Sequence, residues 1–97
     1  MSEKQNPEEF YIKLKAQLLD TETWPSKYLY KFIVKSDLHK IAEIEALFNN
    51  IGAVINTIES KNGKYTSISV HVLMQDPDAV IIKYKEVAEN VEGVISL

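Results

Sequence analysis

The sequence predicts an α+β fold: β-α-β-β-α-β elements forming one antiparallel sheet with both helices on one face, preceded by an extra N-terminal helix. Three observations carry this. Asn62-Gly63 separates two alternating runs, the strongest short-range signal of a β-hairpin. Tyr28 to Lys35 alternates as well, with Tyr28, Tyr30, Phe32 and Val34 on one side and Leu29, Lys31, Ile33 and Lys35 on the other. Two segments of helical period, each introduced by a capping aspartate, lie after the first run and after the hairpin.

Taken in order, Asn6-Pro7-Glu8-Glu9 opens a helix: Asn6 suits the cap, Pro7 the first helical position, and the two glutamates the positive end of the helix dipole. Phe10, Tyr11, Leu14 and Leu18 form its apolar stripe, and Pro25 prevents helix from running on through Trp24. The aromatic side of the 28–35 strand is expected to face the core. Ser36 and Asp37 offer caps to a helix with apolar positions Ile41, Ile44, Leu47, Phe48 and Ile51, and Gly52 stands where a left-handed residue would end it. The hairpin strands run from about Ala53 to Ser60 and from Lys64 to Met74.

A type I′ turn at Asn62-Gly63 sets Lys61 opposite Lys64, Ser60 opposite Tyr65, Ile58 opposite Ser67, Asn56 opposite Ser69 and Val54 opposite His71. Ala53, Ile55, Thr57, Ile68, Val70 and Val72 are then expected to be buried. Asp76-Pro77-Asp78 opens the last helix, whose buried positions are read as Val80, Ile81, Tyr84, Val87 and Ala88. Gly93-Val94-Ile95-Ser96-Leu97 forms a short terminal strand. This order is the ferredoxin-like, split βαβ arrangement. Residues 1–23 form the N-terminal helix and linker, and residues 24–97 the ferredoxin-like unit.

Composition narrows the function classes. The chain has 97 residues, enough for one such unit, with 45% hydrophobic and 26% charged residues, as in ordinary globular domains. No apolar run approaches the roughly 20 residues of a membrane span, so no membrane role is expected. The opening residues lack the basic start and apolar core of a secretory leader, which makes the cytoplasm the expected location. There is no cysteine, hence no disulfide and no thiol nucleophile. The net charge is −3 and all 11 basic residues are lysine. An acidic balance without arginine speaks against tight nucleic-acid binding.

Three stretches resemble the YbeD-like family, a bacterial family of unknown function. They are Trp24-Pro25-Ser26-Lys27-Tyr28-Leu29-Tyr30-Lys31-Phe32-Ile33-Val34, Ser60-Lys61-Asn62-Gly63-Lys64-Tyr65-Thr66-Ser67-Ile68-Ser69-Val70, and Tyr84 ahead of Gly93-Val94-Ile95-Ser96-Leu97. The resemblance implies a ferredoxin-like domain similar to the ACT regulatory domains, which bind amino acids, and it implies no catalytic residue. ACT domains commonly carry a glycine in the turn after the first strand. Here that turn is Lys35-Ser36-Asp37-Leu38, which speaks against an amino-acid ligand.

Candidate chemistry is sparse. His39 and His71 fall on different elements, so no metal site and no cofactor is expected. Ser36, Ser60, Ser67 and Ser69 lack a nucleophile elbow or a paired base. The carboxylates are dispersed, Glu8, Glu9, Asp76 and Asp78 serving helix starts. The strongest constellation is Tyr65 with Lys31, Lys61 and Lys64, beside Ser60, Ser67 and Ser69. These seven residues are the candidate binding site. The expected function is non-enzymatic: a binding or regulatory domain taking a small ligand or a protein partner. The alternative is an RNA-binding domain using the sheet face around Tyr65, since RNA-recognition motifs share this topology. Leu29, Ile33, Val54 and Ile58 all project to the face away from the helices. That face is expected to be covered, either by the N-terminal helix or by a second copy in a homodimer.

Overall fold

Two aspartates set the starts of the crossover helices. Asp37 accepts the His39 backbone N–H at 2.9 Å and Asp76 accepts that of Ala79 at 2.8 Å, each supplying an acceptor the helix end lacks. The structure, a computed structural model, describes residues 7–97; the expected cap Asn6 lies outside them. The elements are α1 (Pro7–Thr21), β1 (Ser26–Lys35), α2 (Leu38–Leu47), β2 (Val54–Glu59), β3 (Tyr65–Met74), α3 (Pro77–Asn90) and β4 (Ile95–Ser96). No described helix is long and apolar enough to cross a membrane.

The four-stranded sheet has the order β2-β3-β1-β4, and every neighbouring pair is antiparallel. The α+β fold read from the sequence is therefore the fold observed. The aromatic side of β1 faces the helices, and Tyr30, Phe32, Ile68, Val70, Ile44, Phe48, Val80 and Val87 are completely buried between the layers. Polar groups inside this layer are paired. The Tyr30 hydroxyl donates to the Val80 carbonyl at 3.0 Å, and the hydroxyls of Tyr28 and Tyr84 meet at 2.8 Å. Burial pushes the Tyr30 and Tyr84 phenols far above the usual tyrosine range, the Tyr28 hydrogen bond adding to the effect at Tyr84.

The hairpin register is the expected one: Val54 pairs with His71, Asn56 with Ser69 and Ile58 with Ser67. The turn is not type I′. That turn needs positive φ at both central residues, and only Gly63 has it, at 73°. Asn62 instead uses its side chain, whose Oδ1 accepts the Lys64 N–H at 3.0 Å and the Ser60 hydroxyl at 3.1 Å. An asparagine that bonds the backbone two residues on holds its turn with negative φ. The chain then closes through Gly63 N–H to the Ser60 carbonyl and Ser60 N–H to the Tyr65 carbonyl.

Three burial expectations need correction. Thr57 is exposed and Ala53 and Ile55 are only half-buried, because β2 is an edge strand at the rim of the helix layer. Ala88 is exposed, and Val91, one turn further round, is buried in its place. Ile51, past the end of α2, is also exposed. The largest correction concerns α1, which does not cover the outer sheet face. It lies against α3, joining the core through Leu18, with Tyr11 and Leu14 packed beside it. Lys15 pairs with Asp78 at 2.9 Å and Lys85 with Glu8 at 3.7 Å, and the Lys85 ammonium stands 5.2 Å from the Tyr11 ring centre. These contacts are specific to α3 and give α1 its berth on the helix side.

Candidate functional site

The alternation that buries one side of each strand turns the other side outward, and cross-strand pairing arranges those outward residues in rows. Val54, His71 and Leu29 stand abreast; Asn56, Ser69 and Lys31 form the next row. Ile58, Ser67, Ile33 and Ile95 make the third. Tyr65 beside Lys35 closes the hairpin end, and Leu73 beside Lys27 the opposite end. The Leu97 N–H donates to the Lys31 carbonyl at 2.9 Å, which sets Leu97 alongside the second row. Apolar and polar rows therefore alternate across the face.

The aliphatic members are open to solvent: Leu29 is 46% exposed, Ile95 52%, Val54 62%, Leu97 68% and Ile58 70%. Apolar exposure in paired rows of this kind is more than scattered surface hydrophobics usually give. At the end of the face away from the hairpin, a cleft of about 510 Å³ is lined by Lys27, Leu29, Gly52, Val54, His71 and Leu73, among others.

The seven expected site residues divide into three groups. Lys31, Ser67 and Ser69 lie at the centre of the face, where Lys31 pairs across the ladder with Ser69. Tyr65 sits at the edge of the face. Ser60, Lys61 and Lys64 belong to the hairpin tip, and the Ser60 hydroxyl is engaged within the turn, accepting the Tyr65 N–H at 3.1 Å. Ser67 and Ser69 form no side-chain hydrogen bond among the described residues, so their hydroxyls are available. Ser36, by contrast, is tied to the Thr66 hydroxyl at 2.8 Å.

The sequence reading missed Lys27, Ile95 and Leu97. The alternation of β1 runs back through Leu29 to Lys27, so parity could have found the lysine. A two-residue strand has no period, so the side taken by Ile95 follows only from its pairing with Ile33. The histidines lie apart in role: His39 is exposed on α2 near Glu43, at 3.6 Å, while His71 belongs to the sheet face. Among the described residues no group of three or more His, Asp or Glu is placed to hold a metal ion.

Fold and face together define a small α+β domain of ferredoxin-like and ACT-like topology with an exposed, largely aliphatic sheet surface. Comparison with family models, curated proteins and solved structures gives no match to this chain.

Proposed function

We propose that this chain acts by binding rather than by catalysis, and that a protein partner occupies the outer face of its sheet. The carrying observation is the pair of apolar rows, Val54–Leu29 and Ile58–Ile33–Ile95, left uncovered while α1 lies on the opposite side of the sheet. The resemblance to the YbeD-like family and to ACT domains supports a regulatory role for such a surface. Base stacking fits it less well, because Tyr65 is the only Phe, Tyr or Trp among the outward residues and the central rows are aliphatic.

A photo-crosslinking residue placed at Ile58 in the native cells should yield a defined protein adduct, and the same residue at exposed Glu45 on α2 should not. Equal labelling at both positions, or none at Ile58, would defeat the reading.

A further inference from the structure

The charges on the outer face show which kind of partner surface fits it. Lys27, Lys31 and Lys35 project from β1 in one line, and among the described residues no Asp or Glu occupies an outward strand position. The chain as a whole is acidic, with 14 carboxylate residues against 11 lysines. Those among the described residues lie on the helices, the loops and the inner side of β2, at Glu59. On the helix side, Lys15, Lys83 and Lys85 each pair with a carboxylate. None of the three face lysines forms an ion pair among the described residues. Among the described residues, an acidic molecule has thus gathered an unneutralised row of cations on an apolar sheet face.

We infer that the partner presents an acidic amphipathic helix to this face, an inference that rests on the protein-binding reading above. Leu29 lies between Lys27 and Lys31, and Ile33 between Lys31 and Lys35, so each cation is flanked by an aliphatic side chain. Successive lysine Cα atoms are about 13 Å apart at strand rise. The apolar stripe of a helix would lie on Leu29, Ile33, Ile58 and Ile95. Lysine stems follow apolar surface and carry their ammonium groups outward, to where carboxylates flank such a stripe. A second copy pressed on face to face would bring two lysine rows together with no carboxylate between them, which disfavours that pairing.

The test is an NMR titration of the full chain, with labelled methyl groups, against helical peptides built from Leu with Glu, Leu with Gln, or Leu with Lys. Oligouridylate and phosphatidylglycerol vesicles serve as competing probes. The Leu/Glu peptide should shift the Leu29, Ile33, Ile58 and Ile95 methyls. It should bind at least about tenfold more tightly than the Leu/Gln peptide, and weaken as salt rises from about 50 to 500 mM. Lys27→Glu/Lys31→Glu/Lys35→Glu, checked for an unchanged melt, should lose the Leu/Glu peptide and gain the Leu/Lys one. Equal binding of the Leu/Glu and Leu/Gln peptides would overturn the charge inference while leaving protein binding intact. Tighter binding of oligouridylate or vesicles, or self-association through the same methyls, would also overturn it. If no probe moves these methyls and Ile58 gives no crosslink in cells, the protein-binding reading fails with it.

Discussion

Neighbouring residues of one strand occupy opposite environments in this molecule. Val70 is completely buried under the helices, while Ser69, one position earlier, stands on the outer face opposite Lys31. The inner surface is aromatic and interlocked: the Tyr30 and Phe32 ring centres lie 4.9–6.1 Å from one another and from those of Phe48 and Tyr84. The outer surface is built mainly from lysine, serine and aliphatic side chains, with Asn56, Tyr65 and His71 among them, and among the described residues no second layer covers it. Large aromatic rings commit a surface to permanent packing, because uncovering them costs much more than uncovering a valine or an isoleucine. The outer side mixes exposed aliphatic groups with lysine and serine and lies open to water.

The contrast is broken most directly by a charge placed on each side. Val70→Asp would bury an unpaired carboxylate and should cost about 5 kcal/mol or more, abolishing the cooperative transition in a urea melt. Ser69→Asp, facing Lys31, should shift stability by no more than about 0.5 kcal/mol. Equal losses would mean that the sheet has a single kind of face. Next in size, Phe48→Ala should lose about 3–5 kcal/mol in the same melt, since the ring is enclosed by Tyr30 and Phe32. A loss well below 1 kcal/mol would remove Phe48 from the core.

The hairpin tests whether the outer rows depend on their turn. Gly63→Val forces a β-branched residue to a φ of 73° and should lower stability by about 1–3 kcal/mol, with a matching fall in the urea midpoint. An unchanged midpoint would show that the turn adapts freely. The smallest effect is expected at Ile58→Thr, about 0.5 kcal/mol or less, because the side chain is already in water. A drop comparable with that of Phe48→Ala would mean that something covers the face in solution.

How far the sequence could be read depends on whether a period or a partner decides the outcome. Alternation in β1 and β3 identified the buried aromatic side, and the hairpin spacing put Ser67 and Ser69 opposite Ile58 and Asn56. The turn type was not legible, because Asn62 can satisfy the chain either by positive φ or by accepting Lys64 N–H, and its position alone does not choose. Nor was the berth of α1. The stripe at Phe10, Tyr11, Leu14 and Leu18 says that the helix needs an apolar bed, and both sides of the sheet region offered one. Charge contacts with Asp78 and Lys85, far along the chain, mark the side it took. Phe10 stays half-exposed in that position. Alternation already put Lys31 and Lys35 on the outward side, and only Lys27, before the start read for the strand, was missed. What the sequence did not show is that this side lacks carboxylates, because a net charge of −3 describes the whole chain and only the folded sheet separates its cations from its carboxylates.

Trp24, the chain's single tryptophan, stands at the joint between α1 and β1, half-buried, with its indole N–H donating to the Leu18 carbonyl at 3.1 Å. Three of the five tyrosines, Tyr28, Tyr30 and Tyr84, sit instead in the ring cluster between sheet and helices. The molecule therefore has two natural optical reporters on two different structural joints. Tryptophan emission follows the joint between α1 and β1, and tyrosine near-ultraviolet dichroism follows the packing of the sandwich. A red shift in emission that precedes loss of the tyrosine signal would identify the N-terminal helix as a latch that opens while the rest stays folded.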